Sequence, residues 1–86
     1  MAYKVLFSAT AKKDVERLDS AIKKRLAKKL IQISQSEDIK QIVRQLVNHD
    51  VADYRLRVGD YRVLFDLDGK IIRIMRVRHR RDVYKT

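Results

Sequence analysis

The strongest constraint on this chain is a change of period at residue 54. From there YRLRV (54–58) alternates strictly, with Tyr54, Leu56 and Val58 on one side and Arg55 and Arg57 on the other. YRVLFDL (61–67) does the same: Tyr61, Val63, Phe65 and Leu67 share one side, and Arg62, Leu64 and Asp66 the opposite one. A two-residue period belongs to a half-buried strand. KIIRIMRV (70–77) is apolar on both sides with arginines mixed in, which suits a central strand with a bulge. The only two glycines, Gly59 and Gly69, fall between these segments, and Asp68–Gly69 between strand patterns is a strong hairpin signal. No proline interrupts the run. The last third of the chain therefore reads as a three-stranded antiparallel meander.

The front of the chain has a different period. YKVLF (3–7) reads as a short strand, after which Ser8 or Thr10 can cap a helix. Ala11, Val15 and Leu18 share one helical face. Asp19 can cap a second helix whose apolar stripe is Ile22, Leu26, Leu30 and Ile33. The basic residues between those positions read as a solvated face. Ile39, Ile42, Val43 and Leu46 predict a short third helix over 38–46. Asn48, Asp50 and Asp53 mark a loop, with His49 on its surface. The expected fold is a single α+β domain over residues 1–86: a small sandwich with a mostly antiparallel four-stranded sheet and two to three helices packed on one face (β-α-α-(α)-β-β-β). The N-terminal strand is expected beside the last one.

Charge gives the first indication of function. The net charge is +10 over 86 residues, which directs the protein toward polyanions, most often nucleic acid. Lysine dominates the helical front, whereas arginine supplies eight of the ten cations in residues 54–86. Arginine suits bidentate phosphate contacts. There is no cysteine, so disulfides, thiolate metal sites and thiol nucleophiles are excluded. A small domain without staples is expected in the cytoplasm. No signal-peptide pattern or long apolar run points to a membrane.

Arg55, Arg57 and Arg62 point away from the apolar set on neighbouring strands. The stretch VRHRRDVYKT (77–86) is expected to bring His79 and Arg80 beside them. Clustered guanidiniums repel one another, so the face reads either as merely solvated or as a phosphate site. Tyr84 lies beyond the strand pattern and either stacks on an unpaired base or anchors the tail on the core. His79 is the one histidine in the set, the residue type suited to proton transfer.

Residues 53–85 closely resemble the C-terminal half of RelE-type toxins of bacterial and archaeal toxin–antitoxin pairs, with YRLRVGDYRV and HRRDVY as the hallmark stretches. The front half fits the same family more loosely. The resemblance implies a metal-independent, cofactor-free mRNA endonuclease acting in the ribosomal A site. It also implies a RelB-like antitoxin partner, with operator DNA reached only through that antitoxin. By the family pattern Arg62 stabilises the transition state, Arg80 serves the leaving group and Tyr84 stacks on the substrate base. Arg55 and Arg57 stand where well-known members carry lysines, and Arg78 where the family often has glycine. Arginine does not act as a base, so the base is either His79 or absent. Arg78, Arg81 and Lys85 are the further expected RNA contacts. The alternatives are a ParE-type gyrase inhibitor of the same fold and a non-catalytic RNA-binding module.

Overall fold

A computed structural model describes residues 3–37, 39, 44–45 and 52–83. Strand β1 (Lys4–Phe7) leads into helix α1 (Ala9–Glu16) and helix α2 (Ser20–Ser34). Strands β2 (Arg44–Gln45), β3 (Tyr54–Val58), β4 (Tyr61–Asp68) and β5 (Ile71–His79) follow, and a four-residue helix, α3 (Arg80–Val83), succeeds β5. The sheet order is β1-β5-β4-β3-β2. The meander β3-β4-β5 is antiparallel and β1 lies beside β5, both as expected from the sequence, and the β1–β5 pairing is parallel.

Local chemistry places each boundary. The Ser8 hydroxyl accepts from the Ala11 amide at 3.0 Å, so Ser8 and not Thr10 caps α1. The Asp19 carboxylate accepts from the Ile22 amide at 2.9 Å and starts α2. Val58 pairs with Tyr61 and Asp68 with Ile71, leaving two-residue loops at 59–60 and 69–70. Each loop opens on its glycine, at φ +58° for Gly59 and +60° for Gly69. That left-handed conformation costs a side chain but not glycine.

The core forms between α2 and one face of the sheet. Leu26, Leu30 and Ile33 from α2 meet Leu56, Val58, Val63, Phe65, Ile72, Ile74 and Val77 from the strands. Across β3 and β4, Tyr54 stacks on Phe65 with ring centroids 5.6 Å apart. The Tyr3 amide donates to the Ser34 carbonyl, tying the start of β1 to the end of α2.

One expected element differs. Within the predicted helix 38–46, Arg44 and Gln45 form a strand that pairs antiparallel with Arg55 and Tyr54. Of the rest, only Ile39, which is buried, lies among the described residues. At these two positions strand pairing that satisfies the backbone of β3 prevails over the apolar i, i+3, i+4 pattern, while Ile39 itself is in a 3₁₀ turn and the remainder of 38–46 lies outside the described residues. The four long strands thus carry a two-residue fifth at their edge.

Candidate nucleic-acid interface

Residues directly opposite in an antiparallel ladder share a face. Arg57 lies opposite Arg62, and Arg62 opposite Arg78. These three arginines therefore form one row across β3, β4 and β5, on the face turned away from α2. The next row on the same face runs Arg55, Leu64, Arg76. Adjacent strands lie about 4.8 Å apart, so the first row sets three arginines on neighbouring strands.

Arg62 is the centre of that row and is only 6% exposed, the one buried charged residue in the described core. Its guanidinium turns back onto the β3–β4 turn and donates to the Gly59 carbonyl at 3.2 Å and the Tyr61 carbonyl at 3.1 Å. Among the described residues the ion pairs join Arg73 to Asp68 and Arg76 to Asp14, and neither reaches Arg57, Arg62 or Arg78. Arg62 is thus a buried cation held by carbonyls, with no carboxylate of the described residues in ion-pair reach and an arginine on each neighbouring strand, an arrangement suited to receiving an anion.

Arg76 is a different case. Its Nε donates to Asp14 Oδ2 at 2.8 Å and a terminal nitrogen donates to Oδ1 at 3.2 Å, while the Val77 amide donates to Oδ2 at 2.9 Å. Burial alone would push the Asp14 carboxyl up. The hydrogen bonds from Arg76 and the Val77 amide outweigh it, with help from the charges of Arg76 and Arg78, and hold the group below its ordinary range. The hydrogen bond to Asp14 raises Arg76 in turn.

The register corrects two expectations. His79 lies opposite Tyr61, on the core side of the sheet, and packs edge-on against that ring at 5.3 Å. Its Nδ1 accepts from the Arg81 amide at 3.3 Å. It does not join the arginine row, because a bulge shifts the phase of β5: Leu64 pairs with Arg76 but Phe65 with Ile74, leaving Met75 extra. The second correction concerns Arg80, which was expected to meet Arg62 from the last strand. Arg78 holds that position, and Arg80 begins α3 with its amide donating to the Asp60 carbonyl at 2.7 Å. The phase shift shows in the burial of β5: Ile72 and Ile74 are two apart, but the next buried residue, Val77, is three further on. Arg81 is exposed. Tyr84 and Lys85 lie outside the described residues.

The basic surface extends past Arg57. A cleft of about 520 Å³ between α2 and the β3–β4 turn is lined by Arg25, Lys29, Leu56, Arg57, Gly59 and Asp60. A side chain at Gly59 would begin 3.0 Å from the Arg25 guanidinium, so the glycine lets α2 lay that cation over the turn.

Residues 5–84 match the family described as the ParE toxin of the type II toxin–antitoxin system parDE. The chain is 34% identical over 85 residues to toxin RelE3 of Methanocaldococcus jannaschii, with 94% of each chain covered. The RelB–RelE antitoxin–toxin complex from Methanococcus jannaschii contains a chain superposing at TM-score 0.73 and 27% identity, covering 93% of this chain and 95% of that one. The isolated E. coli RelE toxin superposes at 0.73 and 26% identity, covering 98% and 93%. The RelBE2 complex from Mycobacterium tuberculosis shares the fold at TM-score 0.80, covering 92% of this chain and 99% of that one at 24% identity. With the family match running from β1 past the end of β5, this chain belongs to the RelE/ParE superfamily of type II toxin–antitoxin toxins.

Proposed function

We propose that the protein is a ribosome-dependent mRNA endonuclease that cuts translated messages in the A site. The observation that carries this reading is the row Arg57–Arg62–Arg78, with a buried central guanidinium that no carboxylate of the described residues pairs. In the reaction, the 2′-oxygen of the message attacks the adjacent phosphorus and the bond to the 5′-oxygen breaks. The 2′-hydroxyl proton leaves and a proton reaches the departing oxygen, giving a 2′,3′-cyclic phosphate and a 5′-hydroxyl. The pentacoordinate phosphorane carries more negative charge than the diester, so preorganised cations accelerate its formation.

In this reading Arg62 and Arg78 hold the non-bridging oxygens, and Arg57 and Arg55 add charge from β3. Arg80 serves the leaving group from the start of α3. Tyr84 stacks on the substrate base, and Arg81 and Lys85 contact flanking phosphates. The cleft with Arg25 and Lys29 adds positive field along the strand. His79, on the other face, is a poor candidate base. Stabilisation of the phosphorane and placement of the RNA by the ribosome supply the rate instead. The reaction takes no cofactor and occurs in the cytoplasm. A RelB-like antitoxin covers the basic face until it is degraded, and operator DNA is bound only through that partner. Several similar structures are RelB–RelE complexes, which supports an antitoxin partner.

A second reading, a gyrase inhibitor, draws support from the ParE description of the matching family. One experiment separates the two. Defined mRNA is translated in vitro with the protein, and its ends are mapped by primer extension, while plasmid supercoiling by gyrase is followed in parallel. Cuts inside codons that require ribosomes are the expected result. Intact message with lost supercoiling points to gyrase, and the absence of both effects leaves an RNA-binding module.

A further inference from the structure

The arginine row depends on which way β5 faces above Met75. Ile72 and Ile74 point into the core and Arg73 away from it. Strict alternation would then send Arg76 and Arg78 toward the core, and Val77 and His79 toward the arginine face. The extra residue at Met75 reverses this, so that Val77 is buried and Arg78 lies opposite Arg62. A bulge leaves backbone groups without ladder partners, and something must hold them.

Helix α1 supplies the partners on both sides of the bulge. The Ser8 amide donates to the Ile74 carbonyl at 2.9 Å, and the Ser8 hydroxyl donates to the Met75 carbonyl at 3.0 Å. Two turns later Asp14 accepts the Val77 amide and grips Arg76 with both carboxylate oxygens. The Asp14 side chain is 10% exposed, so the pair is shielded from solvent competition. Ser8 and Asp14 thus act on residues more than sixty positions away and bracket the bulged Met75 between them.

We infer that Asp14 is a positioning residue for the anion site: by holding the Val77 amide and Arg76 it fixes the bulge at Met75 and keeps Arg78 opposite Arg62. The cleavage arm of its test rests on the endonuclease reading, whereas the register arm does not. The experiment compares wild type, Asp14→Ala and Asp14→Asn by NMR and by ribosome-dependent cleavage. The NMR readouts are cross-strand contacts between residues 62 and 78 and hydrogen exchange of the Val77 amide.

In Asp14→Ala the 62–78 contacts weaken, the Val77 amide exchanges faster, and turnover falls about 100-fold with little change in KM, the size expected for misplacing a reacting group. Asp14→Asn, which keeps an acceptor for the Val77 amide and folds under milder demand, restores most of the register and of the turnover. Unchanged 62–78 contacts and Val77 protection in Asp14→Ala overturn the inference. So does a disturbed register with turnover still near wild type. If wild type cuts no message but Asp14→Ala still loses the register, the clamp stands and the endonuclease reading is what fails.

Discussion

Two rows of residues cross the same face of the sheet, two positions apart along each strand, and they are built on opposite principles. The row Arg55–Leu64–Arg76 ends on an arginine whose charge is met by Asp14 from α1. The row Arg57–Arg62–Arg78 has no carboxylate paired to it among the described residues, although its central guanidinium is the more buried. Both rows carry arginine, and both ends on β5 lie within three residues of each other. The difference is that one arginine completes a structural hydrogen-bond set, while the other three make no ion pair among the described residues, Arg78 feeling Asp14 only through its charge. Protein stability favours the first arrangement. The second is costly unless a ligand supplies the negative charge.

The comparison is most directly broken at its centre. Arg62→Ala is expected to reduce ribosome-dependent cleavage by about 100- to 1,000-fold, the loss typical of removing one preorganised transition-state donor. It is also expected to leave the protein as stable or more so, because a buried cation with no carboxylate partner among the described residues is removed. A thermal melt beside the cleavage assay checks both halves, and a strongly destabilised variant would place Arg62 with the structural arginines. Arg78→Ala should follow with about a tenfold to 100-fold loss, larger than that of Arg80→Ala if the cross-strand position matters more than the family pattern.

Arg76→Ala should show the opposite profile. Removing one partner strands a largely buried carboxylate, at about 1–3 kcal/mol of stability, which denaturant unfolding measures. The same pair gives an acid dependence. Asp14 has a folded pKa below its ordinary 3.8, so its contribution is fully present above that unfolded value and is lost as pH falls through the lower folded one. Asp14→Asn should therefore flatten the acid limb of the stability profile below about pH 4 and leave the neutral range without a comparable slope.

Smaller effects sharpen the limits of the basic surface. Replacing Arg25 and Lys29 with alanine should lower the salt slope of single-stranded RNA binding by about 0.7 per lost phosphate contact, with the cleavage step little changed. An unchanged slope would confine the RNA track to the sheet. His79→Ala should have the least effect on single-turnover cleavage, because the imidazole packs on Tyr61 behind the sheet. A loss as large as that of Arg62→Ala would restore the histidine as the base.

Much of this architecture is legible in the residues themselves. Period-two alternation and the two glycines define β3, β4, β5 and both tight loops, since strand faces and left-handed turns are local properties of the backbone. Ser8, Asp19 and the stripe from Leu26 to Ile33 define the two helices for the same reason. The arginines on β3 and β4 could be placed on one face, because nothing breaks the alternation there. What sequence pattern could not assign is the facing of the last strand's end. The pattern of 70–77 suggested a bulge, but its place at Met75 and the strand at Arg44–Gln45 depend on hydrogen bonds to residues remote in the chain, which local periodicity does not record. Only the folded packing of α1 against β5 decided that Arg78 faces Arg62 and that His79 turns to the core. A shift of one residue exchanges the two faces of a strand, and the groups that prevent it, Ser8 and Asp14, lie at the other end of the sequence.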